Sequence, residues 1–177
     1  MLNMDNLTIR EEQTSDFDAI TDIIDRAFAG KDYADGDESQ LMPKLREQGA
    51  LTLSLVALSG DTIIGQAAFS PAKIADKAED WFTLGPVAVL PGYQRQGIGS
   101  KLILTGLERL RQNGASGCIV VGDTNYYCRF GFTLAPHLSP SAAYAEHFMI
   151  KLFRGSEPQG KFRFHPVFEN GSPNSAD

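Results

Sequence analysis

The chain has 177 residues, of which 42% are hydrophobic and 21% charged, a balance that fits one compact domain with a substantial core and excludes a fibre or a disordered chain. No apolar run approaches the roughly 20 residues needed to span a bilayer, and the acidic start of the chain lacks the features of a signal peptide, so the expected location is the cytoplasm, with no membrane partner. A formal net charge of −6 argues against a surface built for nonspecific nucleic-acid binding, so no nucleic-acid partner is expected, whereas a cationic molecule such as an amine would be attracted.

Residues 7–10 read as a first strand. Ser15, followed three residues later by Asp18, resembles a capping box with aspartate in place of glutamate, and predicts a helix starting near Asp16. Phe17, Ile20, Ile23, Ile24, Ala27 and Phe28 recur at helical spacing, so one side of that helix belongs to the core, and Gly30 ends it. After a polar stretch over residues 31–36, residues 38–48 are expected to form a shorter helix with Leu41 and Leu45 inward, closed by Gly49. The apolar runs 51–58 and 62–69 are joined by Ser59-Gly60-Asp61, a three-residue connection that reads as a hairpin.

Residues 81–89 form a further predicted strand. A helix over 97–112 follows, with Ile98, Leu102, Ile103, Leu107 and Leu110 on one side, and then a short buried strand over 118–121. That succession is a βαβ unit, whose flanking strands are expected to lie parallel. Beyond it come a short helix around 126–130, strands near 132–134 and 147–152, and an extended stretch at 161–164. Residues 171–177 are polar and read as a loose tail, so the domain is assigned to residues 1–170.

The chemistry concentrates between Leu84 and Lys101. Gln94, Gly97 and Gly99 form a Q-x-x-G-x-G turn between a strand and a helix, where glycines let backbone approach a phosphate and the helix N-terminus directs unpaired N–H groups at it. Arg95 and Lys101 add positive charge. Neither G-x-G-x-x-G nor G-x-x-x-x-G-K-[ST] is present, so the dinucleotide and NTP versions of such a cradle do not apply.

With this turn, and with the later run Gly122-Asp123-Thr124-Asn125-Tyr126-Tyr127-Cys128-Arg129-Phe130-Gly131-Phe132 and the ending Phe164-His165-Pro166-Val167-Phe168, the sequence resembles the GNAT superfamily of N-acetyltransferases, in its YhbS-like branch. The resemblance spans most of residues 8–168. It implies a mixed α/β (α+β) acyl-CoA N-acyltransferase fold, with a splayed central mixed sheet flanked by helices. It also implies transfer of an acetyl group from acetyl-CoA to an amine, borne by a small molecule or a protein, by direct attack and without a metal. A bulge in the strand before the turn would part it from the next parallel strand and admit the pantetheine arm. Val87, Ala88 and Val89 would then meet the arm, and Arg95, Gln96, Gly97, Ile98, Gly99 and Ser100, with Gln94, would hold the pyrophosphate.

Tyr127 stands four residues before Gly131, where many relatives carry a general acid for the CoA thiolate; a phenol with an unperturbed pKa of about 10 suits that task. Tyr126 reads as a packing residue. Many relatives place a glutamate base at the position of Gly85, where this chain has no side chain, and Glu79 or Asp80 just upstream are the remaining candidates, alongside a water chain or an acceptor that arrives neutral. The missing glutamate keeps a second reading open, an acyl-CoA-binding sensor that has lost transfer.

Cys118 and Cys128 are too few for a disulfide scaffold and read as reduced thiols, and His137, His147 and His165 lack metal-ligand spacing. Arg129 reads as an exposed helix residue. Phe28, Tyr33, Phe69 and Trp81 divide between an acceptor pocket and the core, with the core the commoner fate of such residues. The acceptor's identity and the choice between monomer and homodimer have no motif in the sequence.

Overall fold

The computed structural model describes residues 4–31, 38–74, 77–168 and 175–176. Strands β1 (Leu7–Glu11), β2 (Leu53–Ser59), β3 (Thr62–Ile74), β4 (Lys77–Val89), β5 (Gly117–Val121), β6 (Thr133–Leu134) and β7 (Phe148–Leu152) form one mixed sheet in the order β1-β2-β3-β4-β5-β7-β6. Two short strands join from the side: β8 (Phe162–Arg163) pairs with β3, and β9 (Ser175–Ala176) with β4. Helices α1 (Phe17–Phe28), α2 (Leu41–Glu47), α3 (Ile98–Gln112) and the single turn α4 (Thr124–Tyr127) complete the fold.

The strand alternation sorts the sheet into two faces. Leu55 and Ala57 of β2, Ala67 and Phe69 of β3, and Val87 and Val89 of β4 pack with Ile98, Leu102, Ile103, Leu107 and Leu110, which recur along one side of α3 as the sequence predicts. Val56, Ala68 and Ala88 point the other way, into a core shared with Ile20, Ile23, Ile24 and Ala27 of α1 and Met42 and Leu45 of α2. A third cluster on that side joins Trp81, Ile119, Phe148 and Phe162. Phe28, Trp81 and Phe69 are core residues, and Phe69 lies on the α3 side; Tyr33 lies outside the described residues.

Three local expectations change. The turn before α1 is fastened by Asp16 rather than by a Ser15/Asp18 box: its carboxylate accepts from the Gln13 N–H at 2.7 Å and from Arg10 at 2.6 and 3.1 Å. Those donors, Arg10 foremost, hold the Asp16 carboxyl below its usual range. The second helix begins as a 3-10 turn over Glu38–Gln40, and its inward residues are Met42 and Leu45, with Leu41 half-buried. Ser59 pairs with Thr62, so the hairpin turn is the two residues Gly60 and Asp61, with Gly60 at φ +61°. Within the tail expected over 171–177, Ser175–Ala176 runs parallel to β4, opposite Val87 and Ala88, and the other five residues lie outside the described ones.

Candidate active site

The strand β4 carries an irregularity where the resemblance asks for one. Phe69 pairs with Leu84 and Ala67 with Val87, so three steps along β4 match two along β3, and the extra residue lies at Gly85-Pro86. Side-chain parity confirms it: Phe82 and Leu84 face the α3 core before the bulge, Val87 and Val89 after it. Gly85 sits at φ +147°, a conformation that residues with a side chain rarely adopt. The absence of a glutamate there is therefore built into the backbone, because a carboxylate at this position would carry strain.

The bulge coincides with a parting of strands. β4 and β5 run parallel and pair only over Trp81↔Gly117, Phe82↔Cys118 and Thr83↔Ile119; beyond Thr83 they are no longer paired. Ala88 faces Gln66 on β3, which leaves the flanking residues Val87 and Val89 turned toward the β5 side. Val87 meets Ser175 of β9 there, and the Val89 carbonyl accepts from the Gln94 side-chain amide at 2.9 Å. The Gln94 side chain thus ties the turn to the end of the strand.

Next to the gap stands the glycine turn. Gly97 caps α3 at φ +85°, and a Cβ at that position would meet nothing within 4 Å, so the space above it is open. The first helical bond runs from the Lys101 N–H to the Gly97 carbonyl at 3.1 Å, so the amides of Ile98, Gly99 and Ser100 precede the helical ladder and gather the positive end of a 15-residue helix. Arg95 holds φ +62°, unusual for a side-chain-bearing residue, and its exposed guanidinium, with exposed Gln96 and Lys101, borders the same turn.

On the far side of the gap, Asp123 caps α4 by accepting the Asn125 N–H at 2.9 Å, which sets Tyr127 one turn beyond the end of β5. Tyr127 is fully buried, its ring against Tyr126 at 5.0 Å, Phe132 at 5.9 Å and Phe130 at 6.2 Å, and its hydroxyl is withdrawn from solvent. The close approach depends on Gly122, where a Cβ would strike the Tyr127 ring. Arg129 is exposed and lies over the Tyr126 ring at 5.2 Å.

A profile for an acetyltransferase (GNAT) domain matches residues 8–135. The chain belongs to the GNAT acetyltransferase family. Among curated N-acetyltransferases it is 36% identical to YhbS of Escherichia coli K12 over 132 residues, covering 74% of this chain and 76% of YhbS, and 32% identical to YjhQ of the same organism over 133 residues, with 74% and 72% covered. Among solved structures it resembles a GNAT acetyltransferase of Brucella melitensis in complex with acetyl-CoA, at 40% identity and a TM-score of 0.82 with 92% and 97% of the chains covered. It also resembles YhbS of Escherichia coli in complex with CoA, at 30% identity and a TM-score of 0.85 with 93% and 92% covered.

This GNAT chain is an N-acetyltransferase with the mixed, splayed sheet that its sequence foretold. Val87, Val89, Ile98 at the start of α3 and Tyr127 share one buried cluster, whereas Ala88 faces the α1 side of the sheet. Asp80 does not join them. Asp80 is exposed, its carbonyl accepts from the Ser116 N–H at 2.7 Å, and at a strand rise of about 3.3 Å per residue it lies roughly 16 Å before Gly85. Glu79 is one residue further back along β4. Cys118 is buried, which pushes its thiol far up and leaves it inert, while Cys128 is exposed. No helix among the described residues is long and apolar enough to cross a membrane, and no group of three His, Cys, Asp or Glu among them is placed to hold a metal ion.

Sequence reasoning missed Gln66. It is fully buried on β3, and its Nε2 donates to the Pro86 carbonyl at 3.0 Å, which the bulge has taken out of the ladder. A glutamine inside the apolar run 62–69 was the available signal.

Proposed function

We propose that this N-acetyltransferase takes its acetyl group from acetyl-CoA and passes it to an amine in one direct step. The observation that carries the reading is the parting of β4 from β5 beyond Thr83, beside the open amide cluster that starts α3. The pantetheine arm would lie in that gap along Val87 to Val89, displacing the pairing of Ser175 and Ala176. The pyrophosphate would take the amides of Gly97, Ile98, Gly99 and Ser100, with Arg95 and Gln96 at its border. The Val87 amide would polarise the thioester carbonyl, and Tyr127 would protonate the departing thiolate. Likeness to two structures that contain CoA or acetyl-CoA supports the same use of the gap.

The absence of a side chain at Gly85, and the distance of Asp80, favour an acceptor that reaches the site already neutral. Free thiols at Cys118 and Cys128 fit a reducing compartment, so we place the enzyme in the cytoplasm. The test is calorimetry with acetyl-CoA on the wild type and on Gly97→Leu, checked for folding by circular dichroism. The leucine would fill the open space above the turn, and affinity is expected to fall by about 10-fold or more, the scale of one lost charge-assisted contact. Unchanged affinity in a folded variant would remove the phosphate from this turn.

A further inference from the structure

The proposed mechanism accounts for the α3 face of β3 and β4 but leaves three groups on the opposite face without a task. Gln66 Oε1, Ser70 Oγ and Thr83 Oγ1 are buried and have no hydrogen-bond partner among the described residues. Burying a hydroxyl or amide without a partner costs about 1–3 kcal/mol in proteins, so three together on one strand pair call for an explanation. Their placement suggests one. Gln66 and Ser70 lie four residues apart on the same face of β3, Ser70 is paired with Thr83, and Gln66 with Ala88. The Gly85-Pro86 bulge lies between these two pairs, so unsatisfied polar groups flank it on both sides.

Gln66 is the most informative of the three. Its Nε2 must be the atom facing Pro86, because a carbonyl can only accept. This fixes the carboxamide plane and leaves Oε1, on the same carbon, as an immobilised acceptor one residue away from Val87. A sheet core has no use for that oxygen, whereas a nucleophile arriving beside Val87 does.

Building on the acetyl-CoA reading above, we infer that Gln66 receives the acceptor: pinned to Pro86 by Nε2, it uses Oε1 to hold an N–H of a neutral primary amine against the thioester at the bulge. The attacking nitrogen bonds to the thioester carbon, the C–S bond breaks, and its electron pair leaves on sulfur. The amine's surplus proton passes to solvent, and the thiolate takes one proton. A carboxamide oxygen is too weak a base to remove the proton itself, so Gln66 orients the amine and the chemistry selects acceptors that are neutral when they arrive.

The probe is hydroxylamine, a small nitrogen nucleophile that is largely neutral at physiological pH, with free thiol release as the readout. Gln66→Met keeps the length of the side chain and removes both polar atoms. In that variant kcat/KM for hydroxylamine should fall about 10-fold or more, and by more than acetyl-CoA affinity or the acceptor-independent hydrolysis of acetyl-CoA does. A purely structural role predicts equal losses in all three and overturns the inference, as does an unchanged kcat/KM for hydroxylamine. Gln66→Glu carries the test if the methionine variant fails to fold. A carboxyl beside the amine should add a new ionisation to the pH profile of kcat/KM for hydroxylamine, and a profile of wild-type shape would place residue 66 away from the acceptor. Wild-type protein that binds acetyl-CoA but does not transfer to hydroxylamine overturns the inference alone; wild-type protein that does not bind acetyl-CoA overturns the proposed function as well.

Discussion

The two faces of the β3–β4 pair are built from the same strands and differ in almost everything else. Toward α3, Ala67, Phe69, Leu84, Val87 and Val89 meet helix side chains in a continuous apolar contact, and Gly106 of α3 admits the Phe69 ring so closely that a Cβ would collide with it. Toward α1, the face is apolar only in patches, and Gln66, Ser70 and Thr83 interrupt it. A face that is filled and dry serves to hold the helix whose N-terminus makes the cradle. A face with buried, unsatisfied polar atoms beside a bulge gives up stability where a substrate would supply the missing partners.

The largest expected effect tests whether anything on the α3 side does chemistry as well as packing. Tyr127→Phe keeps the ring against Phe130 and Phe132 and removes the hydroxyl. Turnover should drop by about 10²–10⁴-fold at nearly constant acetyl-CoA affinity, measured where chemistry limits the rate. Full kcat in that variant would return Tyr127 to the packing residues, and Tyr126→Phe, which should cost much less, is its control.

Next in size is a probe of packing alone. Gly106→Ala places a methyl group into the Phe69 ring, and urea unfolding should show a loss of about 1–3 kcal/mol even after the roughly 1 kcal/mol gain in helix propensity. If the variant is as stable as wild type, the α3 face is looser than the contact implies.

A smaller effect is expected from the chain's end. Removing residues 171–177 takes away the Ser175–Ala176 pairing from Val87 and Ala88, backbone that the cofactor arm needs. Calorimetry should show acetyl-CoA binding tightened by up to about 10-fold, the scale of one or two net hydrogen bonds. Weaker binding after truncation would mean that the segment helps to form the site.

The smallest effect belongs to the polar face. Thr83→Val exchanges a buried hydroxyl without a partner for a methyl of similar shape, so stability should hold or rise by up to about 1 kcal/mol in the same urea experiment. A marked loss would show that Oγ1 has a partner and that the contrast between the faces is weaker than drawn.

Much of this protein was legible from local pattern. The 3.6-residue period of residues 98–110 and the alternation along 51–58 and 62–69 depend only on which side of an element is apolar, and the buried faces agree with them. Q-x-x-G-x-G marked the cradle because glycine adopts φ +85° at Gly97 without strain and leaves open space above it. What the sequence by itself determined was therefore the family, the βαβ unit and the place of the glycine turn at the start of α3. Only the tertiary structure decided how Gln94 and Gln66 are used. The Gln94 side chain holds the Val89 carbonyl, and Gln66, which no motif singles out, holds that of Pro86. Both carbonyls belong to β4, a strand that neither glutamine is part of, and which carbonyl escapes the sheet ladder is fixed by a bulge whose register involves three chain segments at once. The Gln66 bond spans twenty residues of sequence, and the Gln94 bond, though it spans only five, forms across the bend from strand to turn, so no periodicity within one segment can announce either.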